Sequence, residues 1–190
     1  MKKPLHEKAI FTKEDYSGQP LSVSEFDGCT FISCNFSKSD LSNCDFIECR
    51  FENCDLSLAI TNNTGLKNVG FTGCKLLGMD FSKCNNFLLE FSFRKCILDY
   101  SIFQKKKMKN TIFQDCSIQE ADFSEADLTG AVFQDCDLTR SLFVHTNLEK
   151  ADFRTANFFS IDPEINRVKK AKFSTAGLIG LLDKYHIIVE

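Results

Sequence analysis

The sequence predicts an all-β solenoid in which a short extended step and a turn recur every five residues. Three observations predict it. All ten cysteines stand two residues before a position on one five-residue grid. Before a single jump in that grid, Cys29, Cys34, Cys44, Cys49, Cys54 and Cys74 precede Phe31, Phe36, Phe46, Phe51, Leu56 and Leu76, and Cys84 precedes Asn86 where the register breaks. After it, Cys96, Cys116 and Cys136 precede Leu98, Ile118 and Leu138. The grid positions are themselves almost all Phe or Leu. A period of five fits neither a helical stripe at 3.6 nor a strand at 2.

The chain divides into three stretches. Residues 1–20, with Pro4 and Pro20, are only loosely periodic and read as a lead-in. Residues 21–174 carry the repeat. Its first phase runs from Leu21 through Phe26, Phe31, Phe36, Leu41, Phe46, Phe51 and Leu56, lapses at Thr61, and resumes at Leu66, Phe71, Leu76 and Phe81. The second phase starts near Leu88 and runs from Phe93 to Phe158, and after Pro163 it returns at Val168 and Phe173. Two residues before the centres stand Cys, Ala, Ser or Thr, small enough to form an inner wall. Four five-residue steps close a square coil of about twenty residues, and stacked coils rise by roughly 4.8 Å. Residues twenty apart then form columns: Phe93, Phe113, Phe133, Phe153 and Phe173 in one, and Phe103, Phe123 and Phe143 opposite. Met108, Leu128, Leu148 and Val168 fill a third column, and Leu98, Ile118, Leu138 and Phe158 the fourth.

Residues 175–190 change period. Leu178, Leu181, Leu182 and Tyr185 follow the i, i+3, i+4, i+7 stripe of a short helix, and Ile187, Ile188 and Val189 read as a strand. A solenoid must cap its last coil. This tail carries more apolar surface than one cap needs, which predicts a homodimer formed through Leu178, Leu181, Leu182 and Tyr185.

Little in the sequence suggests catalysis. The three histidines, His6, His145 and His186, lie away from any cysteine at metal-ligand spacing, and the regular cysteine spacing follows the repeat. There is no glycine-rich phosphate loop. The expectation is a non-enzyme without cofactor or metal, with free buried thiols. No apolar run approaches a membrane span and no export signal opens the chain, so a cytoplasmic protein is expected.

Charge is distributed in zones. Residues 21–60 carry seven acids (Glu25, Asp27, Asp40, Asp45, Glu48, Glu52, Asp55) against two bases, a balance of −5. Residues 111–152 carry nine acids against two bases, a balance of −7. Between them Arg94, Lys95, Lys105, Lys106, Lys107 and Lys109 oppose only Asp99. A rod with acidic zones could compete for a positive groove built for DNA. The candidate partner-binding residues are therefore Asp115, Glu120, Asp122, Glu125, Asp127, Asp135 and Asp137. The alternative is that Asp before each centre belongs to the repeat and keeps the rod soluble.

The runs Ala121–Asp122–Phe123–Ser124–Glu125 and Ala126–Asp127–Leu128–Thr129–Gly130 match the A-(D/N)-(L/F)-x-x unit of the pentapeptide-repeat family. The resemblance covers about residues 21–178. Within that superfamily the chain resembles the Qnr type of quinolone-resistance proteins, through Cys54–Asp55–Leu56–Ser57 and the terminal Gly180–Leu181–Leu182–Asp183–Lys184–Tyr185–His186–Ile187. The resemblance implies a right-handed quadrilateral parallel β-helix with a short C-terminal helix, dimerising through its C-terminus. It also implies binding to DNA gyrase or topoisomerase IV as a DNA mimic, protecting it from fluoroquinolones, without direct nucleic-acid or membrane contact. The competing reading is a scaffold solenoid with an unidentified protein partner. One departure stands out. The Qnr type of Gram-negative bacteria carries two projecting insertions, whereas here Ser57–Gly65 stays in register and the jump from Phe81 to Phe93 adds only two residues, as a compact bulge around Asn85, Asn86 and Phe87.

Overall fold

The fold is known from a computed structural model that describes residues 3–187. The chain winds as a quadrilateral parallel β-helix whose faces carry short strands or single β-bridges. Strands Leu5–Glu7, Glu25–Asp27, Asp45–Ile47 and Gly65–Lys67 form one parallel sheet. Ile10–Thr12, Thr30–Ile32, Arg50–Glu52, Val69–Thr72, Phe91–Arg94, Ile112–Gln114 and Val132–Gln134 form another. Partners lie twenty residues apart on either side of the break, as Phe31 with Phe51 and Phe113 with Phe133, and twenty-two apart across it, as Phe71 with Phe93; Leu5 with Glu25 and Phe11 with Phe31 show that the lead-in already forms coils. The four faces are named below by their centres in one late coil: Phe133, Leu138, Phe143 and Leu148.

Centres such as Phe113, Phe133 and Leu138 point inward and are buried, because their neighbours on both sides face water on an extended step. The Phe133 face carries one unbroken aromatic column from Phe11 to Phe173, with rings 4.7–5.4 Å apart and within 15° of parallel. In the C-terminal half the opposite column, Phe81, Phe103, Phe123 and Phe143, meets it edge-on, with Phe123 and Phe133 at 5.9 Å and 86°. Such edge-to-face pairs contribute about 0.5–1.5 kcal/mol each beyond area burial. Thr61, the lapse in the grid, is buried in this column and its hydroxyl donates to the Asp80 carbonyl.

The wall residues turn the corners. Two residues after a centre the backbone enters the left-handed region, as at Asn43, Asn53, Asn110, Asp115, Glu120 and Asp135. The next wall residue donates its N–H back to the centre's carbonyl, Cys44 to Leu41 at 3.1 Å and Ala126 to Phe123 at 3.1 Å. A left-handed third residue is what a type II turn requires, which explains why Asn and Gly recur there. All ten cysteines are free and buried. Cys34, Cys54, Cys74, Cys96, Cys116 and Cys136 share one wall column, joined across the break by the Ile97 N–H donating to the Cys74 carbonyl at 3.0 Å. The first four thiols donate to carbonyls of the preceding coil, Cys54 to Phe31 at 3.3 Å and Cys74 to Phe51 at 3.3 Å, whereas Cys116 and Cys136 donate to Gln114 and Gln134 of their own coil. Burial pushes the Cys49 and Cys84 thiols up to about 12.

Two expectations need correction. The second phase does not start at Leu88: that residue is left-handed and exposed, while Leu89 and Phe91 pack against the core. The Asn85 N–H still pairs with Thr64 and the Glu90 N–H already pairs with Leu66, so the extra residues lie within 86–89. Phe158 does not join the fourth column either. It is left-handed and 75% exposed, and Phe159 takes the core place, 5.5 Å from Phe153 and 5.6 Å from Phe173. The chain turns two residues early there, which flips the pair.

The C-terminal tail is helical in the tighter 3-10 form, Ala176–Leu181 and Asp183–Tyr185. It folds back on the last coil, where the Ile161 N–H donates to the Gly180 carbonyl at 2.9 Å. Any Cβ at Gly180 would stand 2.3 Å from the Phe159 carbonyl oxygen, so only glycine fits that approach. Lys184 pins the tail to Asp162 and Glu164, and Tyr185 donates to Glu164 at 2.8 Å. The expected terminal strand over Ile187–Val189 lies mostly outside the described residues, and Ile187 belongs to no strand.

Candidate protein-binding surface

The outward positions decide what the rod can hold. Aspartate or asparagine just before a centre accepts, through Oδ1, the N–H of the residue just after it. Asp40–Ser42 (2.9 Å), Asp55–Ser57 (2.9 Å), Asp80–Ser82 (2.9 Å), Asp122–Ser124 (2.8 Å) and Asp137–Thr139 (2.9 Å) repeat one geometry. This satisfies an N–H the ladder leaves open. Three of the seven acidic candidates, Asp122, Asp127 and Asp137, are such caps. Burial pushes the Asp127 carboxyl up, but the Thr129 hydroxyl and N–H, with Lys109 beside it, outweigh that and leave it below the usual carboxylate range.

The other four, Asp115, Glu120, Glu125 and Asp135, stand at corners in the left-handed conformation. The seven do not share a face. Asp115 and Asp135 lie on the corner between the Phe133 and Leu138 faces, Asp137 on the Leu138 face, and Glu120 on its far corner. Asp122 and Glu125 belong to the Phe143 side, and Asp127 to the Leu148 face. Several are neutralised: Glu120 pairs with Arg140, Glu125 with Lys105 at 3.5 Å, and Asp127 with Lys109 at 3.4 Å. The central lysines predicted as a separate basic zone thus partly answer the acids one coil above.

What remains is a smaller group. Asp115, Asp135 and Asp137, joined by Asp99, surround the Leu138 face, and none forms an ion pair among the described residues. Asp99 was missed because it lies in the basic stretch from Arg94 to Lys109, outside the acidic zone; its Oδ1 accepts from the Ser117 hydroxyl (2.7 Å) and the Gln119 N–H (2.9 Å). Asp137 accepts from the Gln119 amide at 2.8 Å. Among the described residues no group of three or more His, Cys, Asp or Glu side chains could hold a metal ion, and no helix is long and apolar enough to cross a membrane.

The four tail residues split. Leu178, Leu182 and Tyr185 are exposed, whereas Leu181 packs against the rod. Ile179 and Phe158, which the helical stripe did not include, are exposed beside them.

The repeating cap, wall, centre and left-handed corner are the unit of a known family. Its sequence profile, described as the pentapeptide repeat region, matches residues 24–91 and 85–156. The chain belongs to the pentapeptide-repeat family. No curated protein sequence matches it. Among solved structures it is similar to a trypsin-treated variant of QnrB1, a plasmid-mediated fluoroquinolone resistance protein, at 20% identity and TM-score 0.59, covering 100% of this chain and 92% of that one. It is also similar to HetL, a pentapeptide-repeat protein involved in heterocyst differentiation regulation from the cyanobacterium Nostoc sp. strain PCC 7120. There the identity is 13% and the TM-score 0.48, over 91% of this chain and 89% of that one. At 20% identity the likeness to the QnrB1 variant shows the solenoid fold alone. A pentapeptide-repeat rod offers long extended faces for surface contact.

Proposed function

We propose that this pentapeptide-repeat protein is a non-catalytic binding protein of a type II topoisomerase, DNA gyrase or topoisomerase IV. In this reading it occupies part of the enzyme's DNA path and protects it from fluoroquinolones. The observation that carries the reading is the unpaired carboxylate group Asp99, Asp115, Asp135 and Asp137 around the Leu138 face. A rigid rod holding fixed negative charges without its own counterions offers a positive groove what a phosphate backbone offers. The repeat fold common to this chain and a fluoroquinolone resistance protein, with the Qnr-like motifs at Cys54–Ser57 and Gly180–Ile187, supports the choice of enzyme. Glu120, Glu125 and Asp127 play a lesser part because Arg140, Lys105 and Lys109 already answer them.

The exposed Leu178, Ile179, Leu182 and Tyr185 form the contact of a symmetric homodimer that doubles the rod. Leu182→Glu is expected to give a monomer by light scattering with an unchanged β spectrum. A supercoiling assay with gyrase, ciprofloxacin and purified protein tests the function. Supercoiling maintained in the presence of drug is expected, and an assay indifferent to the protein refutes it. A scaffold role for a different partner is favoured by one observation, the apolar edge described next.

A further inference from the structure

One edge of the rod breaks the rule that outward positions are polar. Leu58, Gly78 and Tyr100 follow one another up the corner between the Leu138 and Phe143 faces. Leu77 and Ile97 flank it on one side, Ile60 and Ile102 on the other. The six large side chains are 36–55% exposed. Leu58 leans over Gly78, where a Cβ would lie 2.7 Å from its Cδ2, so the glycine lets Leu58 lie flat along the corner. Both corner residues adopt the left-handed conformation that elsewhere on the rod favours Asn or Gly. A leucine and a tyrosine there leave about half of each side chain in water, at 50% and 55% exposure. The edge spans three coils, roughly 10 Å along the axis at about 4.8 Å per coil.

Carboxylates ring this edge. Asp55 and Asp99 lie on the Leu138 side, Asp80 and Asp122 on the Phe143 side. Each uses Oδ1 for a hydrogen bond within the rod, leaving Oδ2 toward solvent. None forms an ion pair among the described residues; Lys75 lies among them, and Lys38 stands at the same corner one coil below Leu58.

We propose that this edge docks a polypeptide segment presenting leucine- or phenylalanine-type side chains flanked by lysine or arginine. An apolar centre with a predominantly acidic rim is the layout of a protein contact surface, and the excess of carboxylates selects a cationic partner. A second copy placed symmetrically would set the same carboxylates against each other. An anionic lipid surface would be repelled by the same rim. The inference shares Asp99 and one flank with the topoisomerase reading, but its apolar residues centre on the far corner of the Leu138 face, and its triple variant leaves every carboxylate in place.

The test uses a fluorescein-labelled, 18-residue amphipathic peptide of leucine and lysine, followed by anisotropy at low salt. The full chain is compared with the triple variant Leu58→Ser, Leu77→Ser and Tyr100→Ser. The wild type is expected to bind at least ten-fold more tightly than the variant, and at least ten-fold more tightly than it binds a leucine–glutamate peptide. Methyl signals of Ile60, Ile97 and Ile102 in the wild type are expected to shift on adding peptide, a readout that holds even if the variant folds poorly. Equal affinity for both peptides, or unshifted methyls, overturns the proposal. So does wild-type binding to phosphatidylserine vesicles that the variant lacks, or self-association that the variant abolishes.

Discussion

The coils before the register break and those after it build the same square cross-section from different parts. Before the break the wall is mainly cysteine and three neighbouring columns are aromatic. Phe31 meets Phe26 at 5.5 Å and 70°, and Phe36 at 5.5 Å and 78°. After the break alanine is the commonest wall residue, with Ala121, Ala126, Ala131, Ala151 and Ala156 buried, and the aromatics retreat to two opposite columns. The Phe133-face column passes through both halves without interruption. The comparison teaches that the five-residue period and the turn at each corner set the fold. Which small wall residue and which centre share a coil is a matter of total volume.

The largest effect expected is in the shared column. Phe51→Ala before the break and Phe133→Ala after it should each cost about 3–5 kcal/mol in denaturant unfolding, through the cavity left between stacked neighbours. A cost confined to one half would show that the two fillings are not equivalent. Lys106 comes next, since it occupies a wall position at the seam and is buried. Its ammonium donates to the Cys84 carbonyl at 2.6 Å and the Asn86 side chain at 2.7 Å, and burial lowers its pKa. Lys106→Ala should cost about 1–3 kcal/mol by stranding those acceptors, and hydrogen exchange should rise at 84–90 before either half opens.

A smaller effect is expected at the corners. Asn53→Val and Asp135→Val should each lose about 1–2 kcal/mol, because a β-branched residue tolerates the left-handed turn poorly. Equal losses would confirm that the corner geometry is common to both halves. Acid should act least, and unequally. Asp40 is held low by the hydroxyl and N–H of Ser42, and Asp152 by Arg154 despite partial burial. Asp127 is held low by Thr129 and Lys109 despite its own burial. A depressed carboxyl stabilises the fold above its unfolded pKa and loses that contribution as pH falls through the folded one. The melting temperature should therefore stay flat from neutral pH and fall below about pH 4. The C-terminal half, which holds Asp127 and Asp152, should loosen first.

How much of this was legible varies by residue. The columns could be read directly, because Phe113, Phe133 and Phe153 recur at the coil length and no other element explains that spacing. The caps at Asp122, Asp127 and Asp137 were visible as a consensus, but their purpose was not. An aspartate kept for hydrogen bonding inside its coil and one kept for a partner look alike in sequence. Phe158 and Leu88 were misplaced because a periodic pattern cannot show where the chain turns early; the adjacent Phe159 and Leu89 were the only signs. The candidate acids dispersed around the rod because a linear count of charge ignores that consecutive pentapeptides face four directions. The apolar edge was hidden for the same reason, since Leu58, Leu77 and Tyr100 meet only when the coil is closed.

The most direct test of the binding account is the affinity of gyrase for two charge-reversed rods. Asp115→Lys with Asp135→Lys changes the corner of the Leu138 face, and Glu125→Lys changes the Phe143 side in an intervening coil. All three residues stand at solvent-facing corners, so each rod should keep its β spectrum. The account predicts that wild-type binding weakens as salt rises, that the double reversal abolishes it, and that Glu125→Lys leaves it within about two-fold. Equal loss in both rods, or an affinity that neither reversal changes, would contradict it.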